Sequence, residues 1–358
     1  MLTEHFHNTQ KDTGHYSNDL RYVLSLQNTI AAFEEIKTWE GYAKTPLHSL
    51  DSLASDIGVK NIYYKDESSR FGLGSFKALG GTYGVLKFIH HALKKEIGDE
   101  VSMKDIHAGK YSEQISKYTV TTATDGNHGR SVAFGAKLFG CKCQIYIHSE
   151  VSSGRQKAME DLEATVNRIS GNYDASLQIC IEDAGKNNWH VISDTSYEGY
   201  TKYPRYIMAG YNVMAEEIID QIKDRPLPTH VFLQGGVGSF PGAICGYFWE
   251  KFPGNNIKFV VVESEHAPCL IRSAQNNQMT SVSIKQETMM AGLSCGEPSL
   301  LGWEILKSGT DDFITINDSS IPGLMRLLAK NNLKIEAGES SVAGLAGLIE
   351  SMEDQKIA

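Results

Sequence analysis

Residues 118–148, YTVTTATDGNHGRSVAFGAKLFGCKCQIYIH, contain two strand-like runs on either side of a helical segment. The runs YTVTTA and CQIYIH are rich in β-branched and aromatic residues, and residues 129–138 have helical spacing. A strand, a helix and a second strand in this order are typical of a parallel sheet with helices on its faces. Ligands bind at the carboxyl ends of such strands, so chemistry is expected in the loop at residues 124–128.

The same alternation continues along the chain. After residue 148 it comprises a helix around Met159, a strand at 165–169, a helix from Tyr173 and a strand at 189–193. A second alternating block follows the linker P-L-P-T at 226–229, with a strand at 231–234, a glycine turn, a helix through Tyr247 and a strand at 259–263. The sequence therefore predicts an α/β fold with two parallel-sheet lobes.

Composition limits the class of protein. The 358 residues are 41% hydrophobic, which allows a sizeable core, and 43 acidic against 34 basic side chains give a net charge of −9. No basic run resembles a nucleic-acid footprint, so a small-molecule substrate is expected and no nucleic-acid partner. The amino terminus is polar and no run approaches the roughly 20 apolar residues of a membrane span, so we expect no membrane partner and a cytoplasmic location.

Six cysteines are spread along the chain without a C-x-x-C pair, so neither a disulfide scaffold nor a metal site is expected. The C-K-C at 141–143 enters a strand-like run and is interpreted as buried structural thiols. Cys269 and Cys295 differ because both lie in segments that we place near the functional site. Whether these two thiols pair is left open.

Lys77 lies in the glycine-rich stretch FGLGSFKALGGTYG, residues 71–84. Apolar residues recur after it at helical intervals, at Leu79, Tyr83, Leu86 and Leu93, so Lys77 is predicted in the first helical turn. The positive end of the helix dipole and partial burial would both favour its neutral, nucleophilic amine. Lys77 is therefore a candidate Schiff-base lysine, and the alternative is a solvated surface lysine.

A glycine-rich loop, QGGVGSFPG at 234–242, follows one predicted strand and precedes a helix. Its backbone N–H groups and the helix amino end can face one anion, which predicts a phosphate site. A plain tight turn is the alternative. A dinucleotide site is disfavoured because the glycine spacing is one residue too long, although Glu263 ends the next strand where a ribose-binding acid would lie.

A second loop, TTATDGNHGR at 121–130, ends another predicted strand. Asn127 can hydrogen-bond a phenolic oxygen of a cofactor, and N–H groups from Thr124 to His128 can bind a substrate carboxylate. Asp125 would repel that carboxylate, so it suits a cationic group or proton abstraction. Alternatively, Asp125 is a simple helix cap.

A third loop, SDTSYEGYTKYP at 193–204, follows a strand and places Asp194 at its mouth. Its aromatic side chains could exclude water from a pocket and position a small polar ligand. The alternative is a loop packed by its own tyrosines, Tyr197, Tyr200 and Tyr203.

Together these segments resemble the fold-type II pyridoxal-phosphate enzymes, the class of the tryptophan synthase β chain, and within it the 2,3-diaminopropionate ammonia-lyase family. The resemblance runs from about residue 60 to about residue 348. Its motifs are KDESSRFGLGSFKALGG, TDGNHGR, DTSYEGYTKYP, QGGVG and MAGLSCGEPSLLGWEIL.

The resemblance implies pyridoxal 5'-phosphate in the cleft between two lobes. The large cofactor-binding domain would comprise residues 1–90 and 205–358, and residues 91–204 would form an inserted small domain. Lys77 would be the internal aldimine and Asn127 would contact the ring oxygen of the cofactor. The phosphate would be held by the backbone of Gly235, Gly236, Val237 and Gly238.

The resemblance also implies the substrate side of the site. Substrate-binding residues would be Thr124, Asp125, His128 and Asp194, and the catalytic residues would be Lys77, Asp125 and Asp194. Lys77 would be the base for the L isomer, Asp125 the base for the D isomer from the opposite face, and Asp194 would position the reacting amine. The substrate of the resembled family, 2,3-diaminopropionate, carries a second ammonium group, and two carboxylates at the mouth of a pocket suit this group.

The implied reaction is α,β-elimination of 2,3-diaminopropionate, in either or both isomers, to pyruvate and two ammonia. The alternatives are a serine, threonine or hydroxyaspartate dehydratase of the same fold, and a pyridoxal-phosphate-binding protein with weak or no turnover. The latter arises because the resembled enzymes continue with a helix and a strand that carries a Ser or Thr opposite the pyridine nitrogen. The sequence, which ends at Ala358, contains no match to that element. A homodimer is also expected from the resemblance.

Overall fold

The computed structural model describes residues 2–12, 14–98, 100–330 and 334–354. Within these ranges the chain forms two four-stranded sheets and a short antiparallel pair of strands, with helices around them. The predicted α/β fold is confirmed. The sequence analysis compared the carboxyl-terminal end of the sequence with the helix and strand of the resembled enzymes. Residues 355–358 at that end lie outside the described residues.

The strands in chain order are β1 Leu2–His7, β2 Leu47–Ser49, β3 Tyr63–Lys65, β4 Thr119–Ala123, β5 Lys142–His148, β6 Thr165–Ile169, β7 His190–Val191, β8 His230–Gln234, β9 Lys258–Ser264 and β10 Asp312–Ile316. The helices are α1 Asn18–Val23, α2 Leu26–Ile36, α3 Asp51–Ile57, α4 Lys77–Ile97, α5 Met103–His107, α6 Ser112–Ile115, α7 Asn127–Phe139, α8 Ser153–Glu160, α9 Tyr173–Asn187, α10 Lys202–Gln221, α11 Ser239–Lys251, α12 Cys269–Asn276, α13 Leu300–Gly309, α14 Ile321–Lys330 and α15 Ala343–Asp354.

One sheet has the order β6-β5-β4-β7 with parallel pairing throughout. The other has the order β1-β10-β9-β8, in which β8, β9 and β10 are parallel. Its edge strand β1 runs antiparallel to β10, an arrangement that the sequence analysis did not predict. In both sheets the carboxyl ends of the parallel strands lead into the three loops singled out above.

Helix α4 begins at Lys77 and packs against α7 and α10. The approach is close because Gly80 and Gly81 carry no side chain. A Cβ on Gly80 would lie 2.3 Å from Cε1 of Tyr211 on α10, and a Cβ on Gly81 would lie 2.4 Å from Oγ of Ser131 on α7. Ser131 Oγ also donates a hydrogen bond to the carbonyl of Lys77 at 2.6 Å. The glycine pair therefore fixes the start of α4 against its two neighbours.

The predicted elements are found with small differences at their ends. Strand β7 has only two residues, although the N–H of Ile192 still donates to the carbonyl of Thr121 at 2.8 Å before the chain enters the Asp194 loop. Helix α7 begins two residues before the predicted Gly129. Among the described residues, none of the helices combines the length and the apolar character needed to cross a bilayer.

Candidate active site

A cleft of about 2030 Å³ opens at the carboxyl ends of β4, β7 and β8. Residues from all three predicted loops line it, together with Lys77 at the start of α4. The predicted site residues on its wall are Lys77, Thr124, Asp125, Asn127, His128, Asp194, Gly235, Gly236 and Val237. Gly238 lies next to them as the N-cap residue of α11. The structure therefore brings together segments that are up to 160 residues apart in the chain.

Lys77 contacts Asp194 directly, through a short hydrogen bond from Nζ to Oδ2. Burial by itself lowers the pKa of Lys77, but the Asp194 carboxylate and Tyr211 outweigh it and hold that pKa well above its ordinary value. Burial raises the pKa of Asp194, and His128 and Lys77 more than reverse this, so the net shift is strongly downward. The two groups form an ammonium–carboxylate pair.

This pair corrects one sequence-based expectation. The helix dipole and burial were expected to favour a neutral amine at Lys77. In the structure an opposite charge at contact distance has the larger effect, because Coulomb attraction in a partly desolvated cleft exceeds the desolvation cost. Lys77 is therefore held as an ammonium, and another group must take its proton before it acts as a nucleophile.

Asp194 is held by three further neighbours. Tyr211 Oη donates toward Asp194 Oδ2 at 3.4 Å, and His128 Nδ1 lies 3.7 Å from the same oxygen. Ser239 Oγ, at the first residue of α11, donates to the Asp194 carbonyl at 2.6 Å. His128 is 8% exposed and its Nε2 bonds the carbonyl of Ile192 at 2.8 Å. His128 thus lies beside Asp194 more than toward the open cleft.

The loop at 124–128 is tied down by Thr124. The N–H of Thr124 donates to the carbonyl of Tyr146 at 3.0 Å, as a continuation of the sheet. Its Oγ1 accepts from the N–H groups of Gly126 and Gly129, each at 3.1 Å. Thr124 therefore binds the amino end of α7, whose N-cap residue is Gly126. Because the N–H groups of Thr124 and Gly126 are already used, the predicted carboxylate cradle narrows to those of Asp125, Asn127 and His128. Asn127 is exposed on the cleft wall.

Asp125 is not the cap of α7, so the simple-cap alternative is wrong. Its Oδ1 lies 2.8 Å from Nε2 of His148, at the end of β5. Burial raises the pKa of Asp125, His148 and Arg155 lower it, Glu287 raises it, and the net direction is upward. A carboxyl group with a raised pKa on a cleft wall holds a proton more readily than an ordinary aspartate does, which suits it to proton transfer.

The glycine loop leads from β8 into α11, with the left-handed φ values of +61° at Gly236 and +94° at Gly238. Its curl turns the amino end of a 13-residue helix toward the cleft, as an anion site requires. The N–H of Gly235 donates to the carbonyl of Val262 at 2.8 Å, so this N–H is not free to face an anion. The N–H of Gly238 bonds the Gly235 carbonyl at 3.3 Å.

Glu263 does not lie where a ribose-binding acid would be needed. Its side chain is 1% exposed and accepts hydrogen bonds from the N–H groups of Leu270 at 2.9 Å and Ile271 at 2.8 Å. It lies beneath the glycine loop, where a Cβ on Gly235 would come within 2.6 Å of its Cγ. Glu263 supports the loop and caps α12, which removes the basis of the dinucleotide alternative.

The loop at 193–204 fits both interpretations of its tyrosines, as internal packing of the loop and as a wall of the pocket. Tyr200 packs it from within, since its hydroxyl accepts from the N–H of Ser193 at 3.0 Å and donates to the carbonyl of Val191 at 2.8 Å. Tyr197 stacks on Tyr200 with 5.2 Å between ring centroids and also lines the cleft.

Both cysteines left open above are free thiols. Cys269 Sγ lies 3.6 Å from the Gly236 carbonyl, and a Cβ on Gly236 would lie 3.9 Å from Cys295 Sγ. They thus flank the glycine loop. Burial raises the pKa of Cys295 to about 12, so this thiol is protonated at neutral pH.

The residues present fit a phosphate-bearing aldehyde such as pyridoxal phosphate. Lys77 offers an amine that faces the cleft, and the curled loop with the helix amino end offers N–H groups for an anion. Asp194 links the two parts, because its carboxylate contacts Lys77 and its carbonyl bonds Ser239. Among the described residues, the structure contains no cluster suited to a metal ion.

Sequence reasoning missed three side chains of the site, which are His148, Tyr173 and Tyr211. His148 ends a strand in the run CQIYIH, so the rule that chemistry lies at strand ends would have found it. Tyr173 follows β6 in the same way and lines the cleft. Tyr211 lies in the middle of α10, and its role depends on the close approach of Gly80, which no local pattern shows.

The sequence is similar to a known family of enzymes and to individual proteins within it. The family described as "Pyridoxal-phosphate dependent enzyme" matches residues 38–358. Diaminopropionate ammonia-lyase of Escherichia coli K12 is 38% identical over 312 residues, 86% of this chain and 77% of that protein. Diaminopropionate ammonia-lyase of Salmonella typhimurium is 37% identical over 343 residues, 93% of this chain and 85% of that protein.

Solved structures give the same result. A crystal structure of the E. coli ammonia-lyase with an aminoacrylate–PLP azomethine reaction intermediate is similar with a TM-score of 0.85 and 34% identity, over 98% of this chain and 87% of that one. A threonine deaminase of Solanum lycopersicum is similar with a TM-score of 0.78 over 100% of this chain and 90% of that one. Its identity is 21%, so this likeness concerns the fold alone.

Proposed function

This chain belongs to the family of pyridoxal-phosphate dependent enzymes, and we propose that it is a lyase that eliminates ammonia from 2,3-diaminopropionate. The observation that carries the proposal is the cleft in which Lys77 contacts Asp194 while Asp125 stands on the same wall. The 38% identity to an E. coli diaminopropionate ammonia-lyase supports the choice of substrate. The products would be pyruvate and two molecules of ammonia.

The cofactor would be held from two sides. Lys77 would carry it covalently, the glycine loop and the amino end of α11 would bind its phosphate, and Asn127 would face its ring oxygen. Of the loop, Gly236 and Val237 are the better candidates for N–H donors, because the N–H of Gly235 serves the sheet. Bound pyridoxal phosphate supplies an electron sink for the charge that develops at the substrate Cα.

Proton abstraction would then involve two bases. The freed amine of Lys77 would take the Cα proton of the L isomer, and Asp125 would take that of the D isomer from the other face. Asp194 would keep its charge and position the amine of Lys77, since its pKa lies well below the ordinary value. The β-amino group leaves as ammonia, and the released enamine hydrolyses in water to pyruvate and the second ammonia.

The charge of the cleft supports a substrate with two amino groups. Glu339 on its wall is already paired with Arg155 at 3.3 Å, but Asp125 and Glu287 also line it, and Glu287 is close enough to raise the pKa of Asp125. A β-ammonium placed among these carboxylates gains Coulomb energy that the hydroxyl group of serine does not gain. The substrate is therefore expected to be the diamine and not a hydroxy amino acid.

Three expectations about organisation remain proposals. The large domain at 1–90 and 205–358 and the small domain at 91–204 are supported by the separate sheets, since β4 to β7 all lie between residues 119 and 191. Light scattering of the purified protein would test the proposed homodimer. Fractionation of cells would test the proposed cytoplasmic location.

The decisive experiment measures pyruvate release from D- and L-2,3-diaminopropionate, D- and L-serine and L-threonine. The Asp125→Asn variant should lose D-isomer turnover by about 10²–10⁴-fold, the usual contribution of a general base, while L-isomer turnover stays much higher. Asp174→Asn, which changes another carboxylate on the cleft wall, is the matched control and should keep both activities. Lys77→Ala should abolish turnover of both isomers together with the visible absorbance of the bound cofactor.

Equal losses on both isomers in Asp125→Asn would contradict the two-base scheme. Faster pyruvate release from serine or threonine than from either diaminopropionate isomer would reassign the protein as a dehydratase.

A further inference from the structure

His148 and Asp125 are brought together by the register of the small sheet. In the parallel pair β4–β5, Ala123 lies opposite Tyr146. Asp125 follows Ala123 by two residues, and His148 follows Tyr146 by two residues. Nε2 of His148 lies 2.8 Å from Oδ1 of Asp125, with its N–H off the axis of an ideal hydrogen bond. The contact therefore follows from the strand pairing and not from a chance surface rotamer.

The His148 ring is oriented from its other side. The backbone N–H of Glu150 donates to Nδ1 of His148 at 3.3 Å. Because Nδ1 accepts this bond, the neutral ring carries its proton on Nε2, which is the atom that faces Asp125. The Nε2–H group thereby lies against a carboxyl group that burial would otherwise drive toward its neutral form, close enough for its dipole to favour the ionised form.

We propose that His148 is a positioning residue for Asp125, which keeps its carboxylate ionised and oriented for proton abstraction and so determines the rate of D-isomer elimination. The inference rests on the proposed function, in which Asp125 is the D-isomer base. With Oδ1 against His148, Oδ2 is the oxygen that takes the Cα proton, and the electron pair of the broken C–H bond stays with the substrate. Asp125 then gives this proton to the leaving ammonia or to water.

Other charged and titratable groups face Asp125 from the surrounding elements. Arg155 on α8 lowers its pKa, and Glu287 on the loop before residue 291 raises it. Tyr173 on α9 and Cys295 also lie within electrostatic range of Asp125. His148 lowers the pKa of Asp125 more than Arg155 does, so its removal should move that pKa further upward.

The test compares His148→Leu, which removes the N–H donor, with His148→Gln, which keeps a donor of similar reach. In the holoenzyme His148→Leu should lower kcat/KM for the D isomer by at least about tenfold, the scale of one charge-assisted hydrogen bond. It should also move the acid limb of the D-isomer pH profile to higher pH, because less of Asp125 is ionised at a given pH. L-isomer turnover should change by less than about twofold, because Lys77 serves as its base.

Two further variants make the outcome decisive. In an Asp125→Asn background, His148→Leu should have no additional effect on the D isomer, and His148→Gln should keep most D-isomer turnover. If His148→Leu does not fold, His148→Asn, whose amide is too short to reach Asp125, takes its place in the pH profile.

The outcomes separate this inference from the function on which it rests. Retained D-isomer turnover in Asp125→Asn would overturn the proposed two-base function itself. A large loss in Asp125→Asn together with an unchanged rate and acid limb in His148→Leu would overturn only the role of His148. Equal losses on both isomers in His148→Leu would likewise overturn it, since a general distortion of the cleft would not distinguish the two faces of the substrate.

Discussion

Glu263 beneath the glycine loop should make the stability of this protein fall as the pH rises. Burial raises its pKa to about 8, against an ordinary value of 4.5, although the N–H groups of Leu270 and Ile271 act in the opposite direction. The folded state therefore binds this proton more tightly than the unfolded state. The resulting stabilisation is fully present below about pH 4.5, declines as the pH rises and is gone above about pH 8. At about 1.36 kcal/mol per pH unit, the difference corresponds to at most about 5 kcal/mol.

The Glu263→Gln variant isolates this contribution, because an amide has the size of the protonated acid and does not titrate. Urea unfolding of both proteins between pH 5 and pH 8 gives the free energy of unfolding at each pH. The free energy of the wild type should decline relative to that of the variant across this range, since all other titrating groups are common to both. Parallel curves would show that Glu263 is already ionised in the folded protein at pH 5. The N–H groups of α12 would then outweigh burial, contrary to the reasoning above.

Two further predictions concern α4 and its lysine. Gly80→Ala should lower the free energy of unfolding by about 1–3 kcal/mol, because the new Cβ would lie 2.3 Å from the Tyr211 ring. Gly185→Ala in α9, where the new Cβ meets open space, should raise the free energy of unfolding by up to about 1 kcal/mol. Chemical denaturation of both variants measures these changes, and equal effects would contradict the prediction. Asp194→Asn should lower the pKa of Lys77, because burial then acts without the opposing carboxylate. The pH midpoint for imine formation after pyridoxal phosphate is added should move down in that variant, and an unchanged midpoint would refute the assignment.

The fold was predictable from sequence where local patterns determine it. Alternating β-branched runs and helical spacing located the strands and helices of both lobes, because each element buries a face that the pattern reveals. The antiparallel edge strand Leu2–His7 was not predicted. Its polar sequence, LTEHFH, gives little periodicity, and its place is determined by pairing with Asp312–Ile316 about 300 residues away.

The candidate site was predictable in position and less so in electrostatics. Lys77 was expected at the start of a helix and is found there, yet its protonation was wrongly predicted. The reason is physical: its pKa depends on Asp194, which lies 117 residues further along the chain and meets it only in the folded protein. The position of Asp125 was likewise predictable from its strand end, whereas its partner His148 required the register between two strands.

The two aspartates of the cleft have opposite pKa shifts, and this difference bears on their roles. Asp194 lies against the Lys77 ammonium and near His128, so its pKa is strongly lowered and it remains a carboxylate throughout the physiological range. At Asp125 burial and Glu287 raise the pKa, His148 and Arg155 lower it, and the net shift is upward. A group that cannot hold a proton is suited to orient a cation, whereas a group with a raised pKa holds a proton more readily and can accept one and give it back. The environments therefore favour Asp125 as the base and Asp194 as the partner of the lysine, a division of roles that does not depend on the resemblance to other enzymes.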